Sequence, residues 1–271
     1  MNFLQAIFLG LVQGLTEFIP VSSSGHLTLV QHFFGIRTEQ SDSFVIFLHL
    51  GTLLAVILYF RVLLWELIQS LFFWQPTIKN ETHRQNRMVI LYLMIATIVT
   101  GVLYLGFKKH FDAARDYPML VSIFLILTGV VIFISDFYKN NALPAANMGF
   151  MRALFIGLAQ GLAILPGISR SGSTLSASIF CNIKRKDAAH FSFLLSIPAI
   201  LAANVKEFKA ILSLDTSLLP QYLAGFAVAF VSGYLVIAFL IRIIQGGKLK
   251  YFSIYLWVVG LASLSYLYFV R

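Results

Sequence analysis

The sequence predicts an all-α polytopic membrane protein, and three observations support this prediction. Of the 271 residues, 59% are hydrophobic and only 11% are charged, and the mean hydropathy is +0.84. Soluble domains do not have this composition. Several apolar runs approach the roughly 20 residues that a helix needs to cross the hydrocarbon core of a bilayer. One 20-residue segment also occurs twice. We therefore expect a single membrane domain over residues 1–271, built from two related halves.

Six apolar runs are predicted to be transmembrane helices, because each combines sufficient length with few charged residues. The runs cover residues 44–60, 88–107, 118–137, 187–203, 219–241 and 252–270.

The repeated segment is predicted to form two re-entrant hairpins. Ala6 to Gly25 aligns without a gap with Ala153 to Gly172, at an offset of 147 and with ten of twenty residues identical. Proline, glycine and hydroxyl residues interrupt each copy, and irregular backbone at membrane depth survives only inside protein or beside a wet cavity. We expect residues 3–35 and 150–183 each to form two half-helices joined by a loop. An ordinary kinked span is the alternative.

Four small residues are predicted to let the first half-helices pack closely. They are glycines at small-xxx-small spacing, a pattern that brings membrane helices into close contact: Gly10, Gly14, Gly157 and Gly161.

The formal net charge of +9 is better explained by membrane orientation than by nucleic-acid binding, because the basic residues fall into short loops between the predicted spans. Cytoplasmic loops carry an excess of Lys and Arg. Placing the loop at 75–87 in the cytoplasm puts twelve basic residues inside and seven outside. The seven outside are Arg37, Lys108, Lys109, Arg115, Lys206, Lys209 and Arg271.

In this orientation both termini lie outside, and the two hairpins enter the membrane from opposite faces. The halves, approximately residues 1–137 and 150–271, then form an inverted-topology repeat. Secondary transporters use this architecture. Architecture alone does not decide between transport and catalysis, which depends on the chemistry of the site.

The break in each hairpin is predicted to bind an anion. The second half-helices begin near Gly25 and Gly172, and a helix N-terminus offers unpaired N–H groups and a favourable dipole. Hydroxyl side chains surround both positions: Ser22, Ser23, Ser24, Ser169, Ser171, Ser173 and Thr174. The expected guest is a phosphate or pyrophosphate group.

Arg170 and Glu17 are the two charges of the predicted site. A guanidinium at membrane depth is expensive, and its planar fork matches two phosphate oxygens. Arg170 is alternatively expected to pair with Glu17 and lock the hairpins together, and the two interpretations are compatible before substrate binds. Glu17 lies four residues after Gln13, so both side chains share one helix face. Glu17 is either a general base or, with Gln13, a ligand for Mg²⁺.

His26 opens the second half-helix, where the positive dipole end favours a neutral imidazole that accepts a proton. A hydrogen-bonded structural role is the alternative. The other histidines show no paired spacing for a metal: His32, His49, His83, His110 and His190.

Two motifs resemble those of a known family. QGLTEFIPVSSSGH is similar to the (E/Q)xxxE segment and PVSS(S/T)GH loop of the undecaprenyl-diphosphate phosphatase family, membrane enzymes linked to bacitracin resistance. PGISRSGST, from Pro166 to Thr174, matches the PGxSRSxxT motif of that family at every fixed position. The motifs occur in the expected order in a chain of the expected length, so the resemblance covers essentially the whole protein.

The resemblance implies a phosphatase of the bacterial cell (inner) membrane that removes the terminal phosphate of undecaprenyl diphosphate. The product is the lipid carrier for peptidoglycan and other envelope polymers. It also implies a divalent cation cofactor, Mg²⁺ or Ca²⁺, and a site open to the outer face. The expected partners are the polyprenyl diphosphate lipid and the bilayer, without nucleic acid. Association of two copies as a homodimer is left open.

The family motifs carry over onto named residues. Glu17 matches the second acidic position of the first motif, and Ser23 and His26 match its loop. Ser169, Arg170, Ser171 and Thr174 match the second motif. Gln13 stands where many members have Glu, which removes one carboxylate and leaves Glu17 as the principal acid.

We expect the diphosphate to lie between the two loops, with Arg170 and the helix N-termini stabilising the transition state. Ser22, Ser24, Gly25, Ser169, Ser171, Gly172, Ser173 and Thr174 complete the expected phosphate-binding set. The nucleophile is Ser23, activated by Glu17 or His26, or else His26 itself or a water molecule, and we favour Ser23. A carrier or flippase for a polyprenyl phosphate or other anionic lipid is the alternative function.

Overall fold

A computed structural model describes residues 1–36, 41–72, 81–114, 117–206 and 216–269. These residues form eleven α-helices and no β-strand, which confirms the predicted all-α class. In chain order the helices are α1 (Phe3–Phe18), α2 (Ser23–Phe33), α3 (Ser41–Tyr59), α4 (Arg61–Phe72), α5 (Glu81–Ala114), α6 (Pro118–Ser135), α7 (Phe150–Leu162), α8 (Arg170–Phe180), α9 (Arg185–Lys206), α10 (Leu219–Gln245) and α11 (Lys250–Phe269).

Five of these helices, α5, α6, α9, α10 and α11, are long and apolar enough to cross a membrane. A sixth is added if α3 and α4 count as one span, but the chain bends by 74° between them. The six predicted apolar runs fall on α3 and on these five helices. The protein is therefore a multi-pass membrane protein, as predicted.

The two copies of the repeated segment each fold as a short helix, a break and a second short helix. α1 has 16 residues and α7 has 13, and neither is long enough for an ordinary span. α2 and α8 have 11 residues each. The predicted half-helices are thus present in both copies.

Glycines set the packing of the first half-helices. A Cβ at Gly10 on α1 would lie 2.5 Å from the carbonyl oxygen of Gly225 on α10. A Cβ at Gly157 on α7 would lie 2.8 Å from the backbone of Ala96 on α5. α1 therefore packs against a long helix of the second half and α7 against one of the first half. The close packing expected from the glycine spacing is confirmed, and the structure identifies α10 and α5 as the partner helices.

A buried carboxylate joins three helix ends. Arg185, the first residue of α9, lies 3.2 Å from Asp136, directly after α6. The second oxygen of Asp136 accepts from the backbone N–H of Lys250, the first residue of α11, at 3.3 Å. Asp136 is 5% exposed. This buried carboxylate therefore connects the end of α6 to the starts of α9 and α11.

Part of the predicted charge distribution falls on residues that the structure does not describe. Five basic residues used in the orientation argument lie outside the described ranges: Arg37, Lys79, Arg115, Lys209 and Arg271.

We predict that Gly10→Ala destabilises the protein, because the added methyl group overlaps the backbone of Gly225. Overpacking of this kind typically costs about 1–3 kcal/mol. Gly101→Ala on α5 is the matched control, since no described atom lies within 4 Å of a Cβ built there and alanine favours a helix by about 1 kcal/mol over glycine. Thermal unfolding in detergent, followed by tryptophan fluorescence, should show a lower melting temperature for Gly10→Ala alone. Equal melting temperatures for the two variants would contradict the packing of α1 on α10.

Candidate active site

The second half-helices begin with the same cap in both copies. Ser22 caps α2 and accepts from the backbone N–H of Gly25 at 3.3 Å. Ser169 caps α8 and accepts from the N–H of Gly172 at 3.1 Å. The caps satisfy N–H groups that a helix start leaves unpaired. The two helices therefore begin two residues before the glycines from which we expected them to start.

One repeat position supplies a different side chain in each copy. Ser23 is the first residue of α2, and Arg170, at the equivalent repeat position, is the first residue of α8. The duplicated cap thus presents a hydroxyl from one loop and a guanidinium from the other.

The two loops touch each other directly. The Ser171 hydroxyl donates to the carbonyl of Ile19 at 3.1 Å, and the Ser22 hydroxyl lies 3.4 Å from the carbonyl of Ile168. A Cβ at Gly25 would lie 3.0 Å from the Cα of Gly167. Residues 146 to 152 positions apart in the chain therefore share one site.

Glu17 is the centre of this site. One carboxylate oxygen accepts from the Arg170 guanidinium at 2.6 Å. The other accepts from the Ser23 hydroxyl at 2.6 Å and from the Gln13 amide at 2.9 Å. Glu17 is only 7% exposed, and a buried charge needs such partners to offset its desolvation. The pairing of Arg170 with Glu17 and the shared face of Gln13 and Glu17 are both present, as predicted.

Two residues of α3 also join the site, His49 beside the carboxylate and Thr52 beside the Gln13 amide, and sequence reasoning missed both. His49 Nε2 lies 3.8 Å from Glu17, and its Nδ1 lies 2.8 Å from the carbonyl of Val45. Thr52 accepts from the Gln13 amide at 3.4 Å. A polar pair three residues apart in the otherwise apolar run 44–60 was the available signal, because such residues share a helix face.

His26 belongs to a separate hydrogen-bond system. Its Nδ1 lies 2.8 Å from the Ser22 carbonyl, and its Nε2 lies 2.8 Å from the Tyr255 hydroxyl on α11. A carbonyl only accepts, so Nδ1 carries the hydrogen and Nε2 accepts from Tyr255 when the ring is neutral. The two rings are stacked, with centroids 5.5 Å apart and planes 6° apart. Tyr255 was not predicted, because nothing in the apolar run 252–270 distinguishes it from other tyrosines.

The remaining hydroxyls of the predicted site support the loops. The Thr174 hydroxyl lies 2.6 Å from that of Ser192 and donates to the carbonyl of Arg170 at 2.9 Å. Ser24 lies 3.4 Å from Ser22, hydroxyl to hydroxyl. Ser173 donates its backbone N–H to the carbonyl of Ser169 at 2.8 Å. All of the sequence-predicted site residues therefore lie on the two loops, on the helix starts that follow them, or on the last turns of α1.

Glu17 and Gln13 are suited to a hard divalent cation. The Gln13 side-chain oxygen is buried and, among the described residues, has no hydrogen-bond partner. Mg²⁺ takes oxygen ligands, few of them from protein, and completes its shell with water and substrate phosphates. The described residues contain no cluster of three or more His, Cys, Asp or Glu side chains. A cation here would thus use Glu17 and the Gln13 oxygen, with the substrate as its main ligand.

The fold and the site together define a class: a polytopic membrane protein in which two broken helix pairs bring Ser23 and Arg170 against the buried Glu17. Residues 6–262 match the model of the family described as bacitracin resistance protein BacA. The chain belongs to this BacA family, which confirms the family predicted from the two motifs.

Curated relatives match over nearly their whole length. A protein of Treponema denticola is 42% identical over 271 residues, covering 98% of both chains. One of Carboxydothermus hydrogenoformans is 39% identical over 268 residues, covering 97% of both. One of Syntrophotalea carbinolica is 40% identical over 263 residues, covering 96% of this chain and 97% of its own. Each bears the name undecaprenyl-diphosphatase.

We predict that Arg170→Ala destabilises the fold strongly, because it leaves Glu17 buried without its cation. Removing one partner of a buried pair costs about 3–5 kcal/mol. Adding Glu17→Gln should restore much of the loss, since the unpaired charge is then gone. Arg84→Ala, which breaks the exposed pair of Arg84 with Glu81, is the matched control and should leave the melting temperature unchanged. If Arg170→Ala melted like the wild type, the pair would not be holding the loops together.

Proposed function

We propose that this protein hydrolyses undecaprenyl diphosphate to undecaprenyl phosphate and inorganic phosphate. The observation that carries the proposal is the Ser23 hydroxyl, hydrogen-bonded to the buried Glu17 carboxylate at 2.6 Å beside the Arg170 guanidinium. Membership of the BacA family and the full-length undecaprenyl-diphosphatase relatives support it. The activity recycles the lipid carrier for peptidoglycan and cell-envelope synthesis, and it accounts for bacitracin resistance.

The diphosphate lies between the two loops, where the starts of α2 and α8 favour negative charge. Arg170 now contacts Glu17 on one side and the Ser192 carbonyl at 3.4 Å on the other. When substrate binds, the guanidinium turns from Glu17 to the phosphate oxygens, where it stabilises the charge of the transition state. Glu17 then keeps its bonds from Ser23 and Gln13.

Ser23 is the nucleophile. Its Oγ forms a bond to the terminal phosphorus while the bond from that phosphorus to the bridging oxygen breaks. Glu17 takes the Ser23 proton and passes it to the departing undecaprenyl phosphate. In the second step a water oxygen attacks the phosphoserine and gives its proton to Glu17. The Ser23 Oγ–phosphorus bond then breaks, inorganic phosphate leaves, and Glu17 returns the proton to Ser23.

Glu17 is favoured over His26 as the base because of the bonds that each group makes. Ser23 already donates to Glu17. Both ring nitrogens of His26 are engaged by other groups, the Ser22 carbonyl and the Tyr255 hydroxyl.

A divalent cation, Mg²⁺ or Ca²⁺, would be held by Glu17 and by the Gln13 side-chain oxygen, which has no hydrogen-bond partner among the described residues. When bound, it offsets the negative charge of the two phosphates.

In this proposal α3, α5, α6, α9, α10 and α11 cross the bilayer, and the pairs α1–α2 and α7–α8 are re-entrant hairpins. The short lengths of α1 and α7 support this arrangement, as does the 74° bend after α3. The reciprocal packing of α1 on α10 and α7 on α5 supports inverted halves, approximately residues 1–137 and 150–271. Both termini and the mouth of the site face outward, and the isoprenoid tail extends sideways into lipid.

Reciprocal packing of two halves is also the architecture of carriers that move a substrate across the membrane. A flippase for a polyprenyl phosphate or other anionic lipid is therefore the second candidate. A carrier needs no nucleophile, so the serine variant described next separates the two functions.

We predict that Ser23→Ala, Glu17→Gln and Arg170→Lys each reduce phosphate release from undecaprenyl diphosphate at least about a hundredfold, a loss of roughly 3 kcal/mol of transition-state stabilisation. Purified protein in detergent and a colorimetric phosphate assay suffice. Ser263→Ala on α11, outside the site, is the matched serine control and should turn over normally. Full turnover by Ser23→Ala would eliminate Ser23 as the nucleophile. A wild type that releases no phosphate, yet moves labelled polyprenyl phosphate between leaflets, would favour the carrier.

We predict that EDTA abolishes phosphate release and that added Mg²⁺ or Ca²⁺ restores it, because Arg170, which is paired with the Glu17 carboxylate, supplies too little positive charge to neutralise a diphosphate by itself. Gln13→Leu should raise the cation concentration needed for half-maximal activity, since it removes one proposed oxygen ligand. Activity that persists unchanged after exhaustive chelation would rule out the cation site.

A further inference from the structure

The residue directly before Ser23 has an unfavourable backbone conformation. Ser22 has φ +69° and ψ 92°, and side chains other than glycine avoid positive φ because the Cβ clashes with the backbone. Asn182 is the one other non-glycine residue at positive φ within the described ranges. Asparagine tolerates this region far better than serine does. Strain of this kind persists only where the surroundings impose it.

The second copy of the repeat shows that the helix cap does not require this conformation. Ser169 occupies the equivalent position and makes the same capping bond, yet it has φ −75° and ψ 119°. The copies differ four residues after the cap, where the first has His26 and the second has Ser173. The strained cap thus occurs in the copy that carries an imidazole.

His26 holds the peptide that leads into Ser23. The Ser22 carbonyl accepts twice from His26, from its backbone N–H at 3.1 Å and from its ring Nδ1 at 2.8 Å. The Ser169 carbonyl accepts from the backbone N–H of Ser173 at 2.8 Å. Because the peptide group is planar, a fixed Ser22 carbonyl also fixes the backbone nitrogen of Ser23. The Ser23 hydroxyl is consequently held toward Glu17.

Tyr255 in turn holds His26. Its hydroxyl donates to Nε2 at 2.8 Å, and the two rings are stacked with planes 6° apart. A donor at Nε2 selects the tautomer that carries its hydrogen on Nδ1. That tautomer is the one that bonds to the Ser22 carbonyl. Without the hydroxyl, only the Ser22 carbonyl still selects this tautomer, and the imidazole loses one of the two hydrogen bonds that orient it.

We infer that Tyr255 is a positioning residue: through His26 it holds Ser22 in its strained conformation and so keeps the Ser23 hydroxyl against Glu17. The inference rests on the proposed function, in which Ser23 is the nucleophile. Tyr255 itself contacts neither the substrate nor the reacting atoms.

Tyr255→Phe tests the inference, because phenylalanine keeps the stacked ring and removes only the hydroxyl. We expect kcat for phosphate release from undecaprenyl diphosphate to fall about tenfold, the effect of losing one oriented hydrogen bond, with KM little changed. Tyr251→Phe, one turn earlier on α11 and 59% exposed, is the matched control and should keep wild-type kcat.

A double-mutant cycle separates an effect through His26 from a general one. If Tyr255 acts through His26, the double variant His26→Ala/Tyr255→Phe is no slower than His26→Ala alone. Independent, multiplying losses in the double variant would overturn the inference.

Hydrogen–deuterium exchange gives a readout that needs no turnover. Tyr255→Phe should speed exchange in a peptide covering residues 19–26 and leave the equivalent peptide of the second loop unchanged. Faster exchange in both loops, or a fall in kcat without the local change, would overturn the positioning role, as would wild-type behaviour in both assays. If the wild-type protein releases no phosphate, the proposed function fails, whereas the exchange experiment still decides whether Tyr255 holds the Ser22 loop.

Discussion

The buried ion pair between Glu17 and Arg170 is the interaction on which the site depends. The 2.6 Å contact joins residues 153 positions apart, one from each copy of the repeated segment. Neither charge is stable alone in an apolar interior, because desolvation of an unpaired ion costs several kcal/mol. The pair therefore forces the two loops to meet, and the bonds of Ser171 with Ile19 and of Ser22 with Ile168 follow from that approach. The same constraint places a guanidinium beside the starts of α2 and α8, which favour an anion.

The repeated segment and its mismatches explain why one site contains complementary groups. Both copies retain a serine cap bonded to a glycine N–H, so both deliver the next residue from the same position at a helix start. In one copy that residue is Ser23 and in the other it is Arg170. The same serine cap thus places a hydroxyl in one copy and a cation in the other. The functional groups of the site therefore come from positions at which the two copies differ. The two copies also differ in backbone conformation, because Ser22 has a positive φ and Ser169 has a negative φ.

Helix packing makes the meeting of the loops possible. Gly10 and Gly157 bring the short helices α1 and α7 against the backbones of α10 and α5. Each broken helix pair is therefore held by a long helix of the opposite half. Close backbone approach is the usual way in which membrane helices associate, because lipid supplies no hydrophobic drive between them. The partners of Glu17 are consequently fixed from three directions: α1 itself, the two loops, and α3.

The sequence by itself determined the all-α class, the apolar runs and the two breaks, and it offered the pairing of Glu17 with Arg170 as one of two interpretations of that arginine. The class, the runs and the breaks are local features, because hydropathy and glycine spacing are read within one segment. The pairing is not local, but it follows because an intramembrane charge requires a partner. The tertiary structure alone decided that His49, Thr52 and Tyr255 join the site, and that Ser22 is strained. His26 and Tyr255 are 229 positions apart, and no periodicity in an apolar helix distinguishes one of 11 tyrosines. Such contacts depend on which helix faces pack together. An apolar run offers several faces of similar composition, so its sequence does not show which face meets a given partner helix.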